Sequence, residues 1–213
     1  MLPVLLSFEG KKIAIFGCGE VGKRRAKKIL KNGGIVDIYS KEFDEEILKL
    51  KENNKNLKLI KIDINKLSDD ELKNIISNYD FIVSAINDEI NRRIVKISKE
   101  LNKFVNSSTN VEGVNFIIPA YTEVDEVIFS IYTKGKSPLI AKNIRIFVEN
   151  YLKSKDIDLI ANIREFLKEN YPNQKDRKKI LKMIFEDERF REELKNLIKK
   201  WEREKNDNIK GRL

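Results

Sequence analysis

Histidine is absent from this chain of 213 residues. Its absence excludes every Ser–His, Cys–His and His–zinc arrangement and leaves acid–base chemistry to Asp, Glu, Lys, Tyr or a bound cofactor. Cysteine is nearly absent. Cys18 stands alone, so no intrachain disulfide forms, as suits a reducing cytosol. No apolar run approaches the ~20 residues that a bilayer-spanning helix needs. The opening Met1-Leu2-Pro3-Val4-Leu5-Leu6-Ser7 is too short and uncharged for a secretory leader. A soluble, cytoplasmic protein with no membrane partner is expected. Charge, by contrast, is plentiful: 36% of residues are charged and the net charge is +9. Such a balance favours anionic partners, although Lys-, Glu- and Ile-rich composition also accompanies surface ion-pair networks. The length suits one mid-sized domain plus an appendage, or two small ones.

The most informative stretch is Gly17-Cys18-Gly19-Glu20-Val21-Gly22. It follows the apolar run Ile13–Phe16 and opens a helical pattern over 21–32; a second apolar run, Ile35–Tyr39, comes next. The order strand, glycine turn, helix, strand is what a dinucleotide pyrophosphate requires. The first glycine permits the tight turn, the second lets backbone approach the phosphates, and the third lets helix and strand pack closely. The helix N-terminus then offers free N–H groups and a positive dipole end. Cys18, beside that N-terminus, sits where a thiol pKa is lowered; the plainer expectation is a small residue tolerated between glycines.

The alternation continues with a period-two strand at Leu57–Ile62, a capping box at Ser68–Glu71 before 72–77, a buried strand at Phe81–Ala85, a helix over 88–101 and a short strand, Phe104–Asn106. The spacing therefore predicts an α/β fold with a Rossmann-type parallel sheet. Ala85 and Asn87 fall just after a strand's C-terminal end, where ligands bind in such sheets. From Gly113 the pattern changes. Phe116–Tyr121 and Val127–Tyr132 read as a hairpin joined by Thr122–Glu126. A lone hairpin is marginal in water, so it is expected to pair, most naturally with a second copy. Ser137-Pro138 starts a helix running to about Lys153. The remainder is helical and highly charged, with apolar stripes Ile160/Ile163/Phe166/Leu167 and Phe190/Leu194/Leu197/Ile198/Trp201 read as helix core. The Lys-rich tail from Lys199 to Arg212 reads as a solvated helix end; it lacks the interleaved aromatics of a nucleic-acid arm.

These residues resemble the siroheme-synthase N-terminal-domain family, NAD-dependent precorrin-2 dehydrogenases of which some are also sirohydrochlorin ferrochelatases. The resemblance is carried by Gly17-Cys18-Gly19-Glu20-Val21-Gly22-Lys23-Arg24-Arg25, Phe104-Val105-Asn106, Phe116-Ile117-Ile118-Pro119 and Gly135-Lys136-Ser137-Pro138-Leu139-Ile140-Ala141, with Leu2-Pro3-Val4-Leu5 similar too. It spans residues 1 to 150 in collinear order. It implies hydride transfer from precorrin-2 to NAD, a tetrapyrrole partner, a homodimer, and neither nucleic acid nor a protein-held metal. It also implies three segments: a Rossmann domain over 1–112, a dimerisation hairpin segment over 113–145 and a small C-terminal helical domain over 146–213. The cofactor is expected on Gly17, Gly19, Glu20, Val21, Gly22, Ser40, Lys41, Glu42, Ala85 and Asn87. Lys103, Lys134, Lys136, Lys142 and Arg145 lie near the matched motifs and are candidates to meet substrate carboxylates.

Two departures stand out. The family's Asn-x-x-Asp is here Asn106-Ser107-Ser108-Thr109, so Thr109 holds the place of the acid–base aspartate. A threonine hydroxyl does not ionise usefully near neutral pH. The catalytic candidates are Thr109, Asn106, Ser137 and, as the replacement carboxylate, Glu112; solvent is the other proton acceptor. The acid that binds an NAD ribose at the end of the second strand is also missing: Asp37 is mid-strand, and Ser40 and Lys41 would tolerate a 2′-phosphate. Two readings of other kinds remain, an NAD-sensing regulatory module and a family member that binds without turnover.

Overall fold

The fold was described from a computed structural model over residues 2–109 and 111–198. The chain divides between Ile118 and Pro119 into two compact units.

The first unit alternates strand and helix: β1 (Lys12–Phe16), α1 (Glu20–Lys31), β2 (Ile35–Ser40), α2 (Glu45–Glu52), β3 (Leu57–Lys61), a 3-10 turn (Ile64–Lys66), α3 (Asp69–Ser77), β4 (Phe81–Ser84), α4 (Asp88–Glu100) and β5 (Phe104–Ser107). All five strands are parallel, in the order β3-β2-β1-β4-β5. Central β1 is apolar on both faces because helices cover both. Ile13 and Ile15 pack with Ala26 and Ile29 of α1 and Ile47 of α2. Ala14 and Phe16 pack with Leu72 and Ile76 of α3 and Ile90 and Ile94 of α4. The chain reverses direction along the sheet between β1 and β4, and ligand crevices open at the C-terminal strand ends there. The expected Rossmann-type sheet is thus present. The sequence reading passed over α2, although Asp44 caps it by accepting from the Ile47 N–H.

The edge strand β5 is not left bare. The Val105 carbonyl accepts from the Asn115 and Phe116 N–H groups, the Val105 N–H donates to Asn115 Oδ1 at 2.6 Å, and the Ser107 carbonyl accepts from the Arg25 guanidinium.

The second unit holds the antiparallel pair β6 (Ala120–Val124) and β7 (Val127–Ile131), then α5 (Pro138–Lys153), α6 (Ile157–Asn170), α7 (Gln174–Glu186) and a helical stretch over 188–198. Helix α5 packs on both strands, and α6 on α7. The hairpin exists, but its first strand is displaced from the sequence expectation. Phe116 belongs to the first unit, its ring edge-on to Phe81 at 5.3 Å. Strand β6 instead takes in Thr122–Val124, and the turn shrinks to Asp125-Glu126, with Asp125 at φ 52. The apolar stripes are also narrower than expected: Leu167 is buried, whereas Phe166 is 58% and Leu197 63% exposed. Trp201 and the Lys199–Arg212 tail lie outside the described residues. No helix among the described residues is long and apolar enough to cross a membrane.

Candidate functional site

The glycine turn joins β1 to α1 at the point where the strand order reverses. Gly17 has φ +101, and a Cβ there would come within 2.2 Å of the Ala85 carbonyl oxygen. Only glycine serves, because the turn needs both a left-handed backbone and the close pass of the chain leaving β4. A Cβ on Gly22 would lie 2.1 Å from the Gly17 carbonyl oxygen, so helix and turn are in direct backbone contact. Gly19 differs: its Cβ would meet nothing within 4 Å. It faces open space and caps α1 without a side chain, whereas Asp44, Ser68, Asn87, Ser137 and Asn173 each cap a helix with an oxygen. The first-turn N–H groups of α1 are therefore left for an anion. This donor set fits a pyrophosphate.

A cleft of about 320 Å³ adjoins the turn, lined by Gly17, Gly19, Tyr39, Ser40, Lys41, Asn65, Ala85 and Asn87 among others. Six of the sequence candidates thus share one cavity. Glu20, Val21 and Gly22 form the first turn of α1 beside it, and Glu42 follows β2 without lining it. Asn87 Oδ1 is spent on the Ile90 N–H. Lys41 pairs with Asp63 at 3.2 Å. Burial works to raise Asp63, but bonds from Lys41 and Asn65 hold it below its ordinary value. Asp37 is also committed: it accepts from the Tyr79 hydroxyl at 2.6 Å, and Tyr79 contacts the Tyr39 hydroxyl at 2.7 Å. Burial, then the bond to Asp37, pushes the Tyr79 phenol far up, and burial raises Tyr39 as well, so both phenols stay protonated beside the cleft.

Behind the turn, Lys23 is 6% exposed and meets three carboxylates, Glu20 at 2.8 Å, Asp44 at 2.6 Å and Glu46 at 2.7 Å. These partners raise Lys23, Asp44 most, and Lys23 in turn lowers Asp44 and Glu46. The same acids correct the expectation for Cys18. Burial, then Asp44, pushes its thiol up to about 11, against the lowering a helix N-terminus alone would give.

A polar network runs across the ends of β4 and β5. Ser84 Oγ donates to Asn91 Oδ1 at 2.6 Å, and Asn91 Nδ2 donates to Thr109 Oγ1 at 3.0 Å. The Thr109 N–H donates to Ser107 Oγ. From the opposite face of the sheet, Arg25 donates to Asn106 Oδ1 and to the Ser107 carbonyl, while Asn106 Nδ2 donates to the Phe116 carbonyl at 2.9 Å. Burial, with Arg24 nearby, pulls Arg25 down to about 10, still fully charged at neutral pH. Asn106 and Thr109 are thus brought together. Glu112 is not in this network; it is exposed and lines a separate cleft with Arg92, Lys96 and Lys99 of α4. Ser137 lies in the second unit, where its Oγ caps α5. Sequence reasoning missed Asn91 and Arg25. The one sequence signal for Asn91 was a polar residue set among the apolar positions of α4, and the structure buries it fully.

The fold and turn define a dinucleotide-binding protein, and comparison with known proteins agrees. A family model described as "Putative NAD(P)-binding" matches residues 4–120. The "Putative precorrin-2 dehydrogenase" of Methanocaldococcus jannaschii is 84% identical over 95% of this chain and 98% of its own. The precorrin-2 dehydrogenase of Methanosarcina barkeri is 31% identical over 88% of this chain and 84% of its own. The solved structure titled "SirC, precorrin-2 dehydrogenase" shares the fold, with TM-score 0.62 at 22% identity over 88% of this chain and 90% of that one. The chain belongs to the precorrin-2 dehydrogenase family, the siroheme-synthase N-terminal domains that its motifs resemble. Its cofactor is a nicotinamide dinucleotide.

Proposed function

We propose that the protein oxidises precorrin-2 to sirohydrochlorin in siroheme biosynthesis, with NAD as oxidant. The observation that supports this most directly is the pairing of an open Gly19 cradle with the Asn106–Thr109 network at the neighbouring strand end. Bound at the turn, the nicotinamide supplies the hydride acceptor. The chain's own part is to bind and orient. The α1 N-terminus holds the pyrophosphate, Ser40 and Lys41 border the adenosine end, and Ala85 and Asn87 form the wall nearer the reacting ring. Substrate loses a hydride to the dinucleotide and a proton to water. Thr109 cannot take that proton, and its hydroxyl is already fixed by Asn91 and Ser107. Asn106, Ser107 and Thr109 serve to position substrate and water.

Proton transfer to solvent predicts that Glu112→Gln changes kcat less than about threefold, and that Thr109→Asp makes the rate depend on carboxylate ionisation. Loss of turnover in Glu112→Gln would instead make Glu112 the base. With no histidine in the chain and no aspartate at 109, the reaction stops at sirohydrochlorin without metal insertion. Ser137 acts as a helix cap. The enzyme works in the cytoplasm as a homodimer built on the second unit, where α5 exposes Ile140, Ile144, Phe147 and Tyr151 along one stripe. The deciding experiment is anaerobic mixing with precorrin-2 and NAD, following NADH and the sirohydrochlorin spectrum, with NAD and NADP compared by calorimetry. A rate no higher than the protein-free control would leave the second reading, which Thr109 favours: a member that binds without turnover.

A further inference from the structure

A cleft of about 730 Å³ in the first unit lies apart from the glycine cleft. It lies along α4, walled by Arg92, Lys96 and Lys99 on one side and by Val111 and Glu112 on the other. The three cations recur at i, i+4 and i+7, so they share one face and span about 10 Å of the helix. Buried Val95 and Val111 give the cleft an apolar floor.

Its cations are unusually free. Among the described residues the Lys96 and Lys99 side chains enter no hydrogen bond or salt bridge, and Lys96 acts on Asp69 only through its field. Arg92 has only a loose contact with Asp88 at 3.5 Å. Of the two acids in the lining, Glu100 is taken by Lys73 at 3.1 Å. By contrast, two cations nominated from sequence are spent: Lys103 donates to the Ser77 carbonyl, and Arg145 pairs with Glu149 at 2.6 Å. The cleft also adjoins the polar network. Asn91, next to Arg92 on α4, donates to Thr109, and the Val111 N–H donates to the Thr109 carbonyl at 2.9 Å.

We propose that this α4 cleft seats the carboxylate-bearing flank of the tetrapyrrole, with Lys96, Lys99 and Arg92 meeting its acid arms and Val95 and Val111 meeting the ring. The proposal rests on the reading of the substrate given above. An apolar floor rimmed by cations suits a flat macrocycle with carboxylates at its edge better than an inorganic anion, which would need no such floor or volume. The arms would hold the macrocycle while its reacting edge lies over Thr109.

The test is an anaerobic titration of sirohydrochlorin into the full chain and into Lys96→Glu/Lys99→Glu, with NAD affinity as the control for folding. The double variant should bind sirohydrochlorin at least about tenfold more weakly, with NAD affinity unchanged. Added salt should weaken wild-type binding more than that of the variant, and Lys96→Arg/Lys99→Arg should recover most of the affinity. A Lys96→Glu/Lys99→Glu protein that binds as tightly as wild type overturns the proposal. Sirohydrochlorin binding that depends on Lys96 and Lys99, without NADH formation from precorrin-2, upholds the cleft while sinking the dehydrogenase reading.

Discussion

Gly17 and Gly19 are two residues apart and answer to different demands, which substitution separates. Gly17→Ala must force a side chain into a φ of +101 and against the Ala85 carbonyl. It should cost at least about 2 kcal/mol, read by chemical denaturation. Gly19→Ala meets open space; it should leave the denaturation midpoint nearly unchanged yet weaken NAD binding by about tenfold or more, read by calorimetry, because the methyl occupies the pyrophosphate's place. Arg25 makes the opposite case, a charged side chain that touches no expected ligand position. Arg25→Met frees Asn106 Oδ1 and the Ser107 carbonyl. It should lower kcat by about tenfold with little change in NAD affinity, since one good hydrogen bond to a charged group is worth about 1.5–3 kcal/mol. The glycines were legible because their spacing encodes a local turn. Arg25 was not, because its partner stands 81 positions away and only the folded sheet brings β5 beside α1. Asn91 was hidden likewise, as one polar residue in an otherwise apolar helix face.

At the scale of elements, caps and apolar runs were read well because they act within a few residues. The Ser68–Glu71 capping box and the Ser137-Pro138 start of α5 are both present. The hairpin was misplaced because Phe116-Ile117-Ile118 looks like a strand locally, while packing against Phe81 claims Phe116 for another core. The junction of α1 and α2 is set by the Lys23 cluster, which predicts an acid limit to stability. Asp44 and Glu46 are held below their ordinary values of 3.8 and 4.5, chiefly by Lys23. Their contribution is complete above those values and is lost as pH falls through the lowered folded ones. Melting temperature should therefore hold steady above about pH 4.5 and drop below it. In Lys23→Met, where the carboxylates face one another without the cation, that acid-side drop should flatten or reverse.

For the molecule as a whole, the Rossmann-type sheet was written plainly in the order of its strands and helices. The proposed homodimer is a matter of surface, and its basis would be the exposed face of α5. Phe147 is 71% exposed at the centre of that stripe. Phe147→Glu should shift the mass in solution from dimer to monomer at micromolar concentration, read by light scattering, with the monomer's fold intact by circular dichroism. A wild-type protein that is monomeric at every concentration would remove the dimer from the account. The proposed contact with a second copy thus rests on a helix. The β5 edge of the first unit's sheet could not readily supply it, because Asn115, Phe116 and Arg25 already occupy outward-facing groups of that strand. A parallel sheet that ended in bare N–H and C=O groups would invite strands from any neighbour, above all while chains are crowded or briefly opened by heat. By closing the β5 margin with one asparagine, one arginine and a returning backbone, this chain protects that edge against fibril-like growth without spending a further strand on the task.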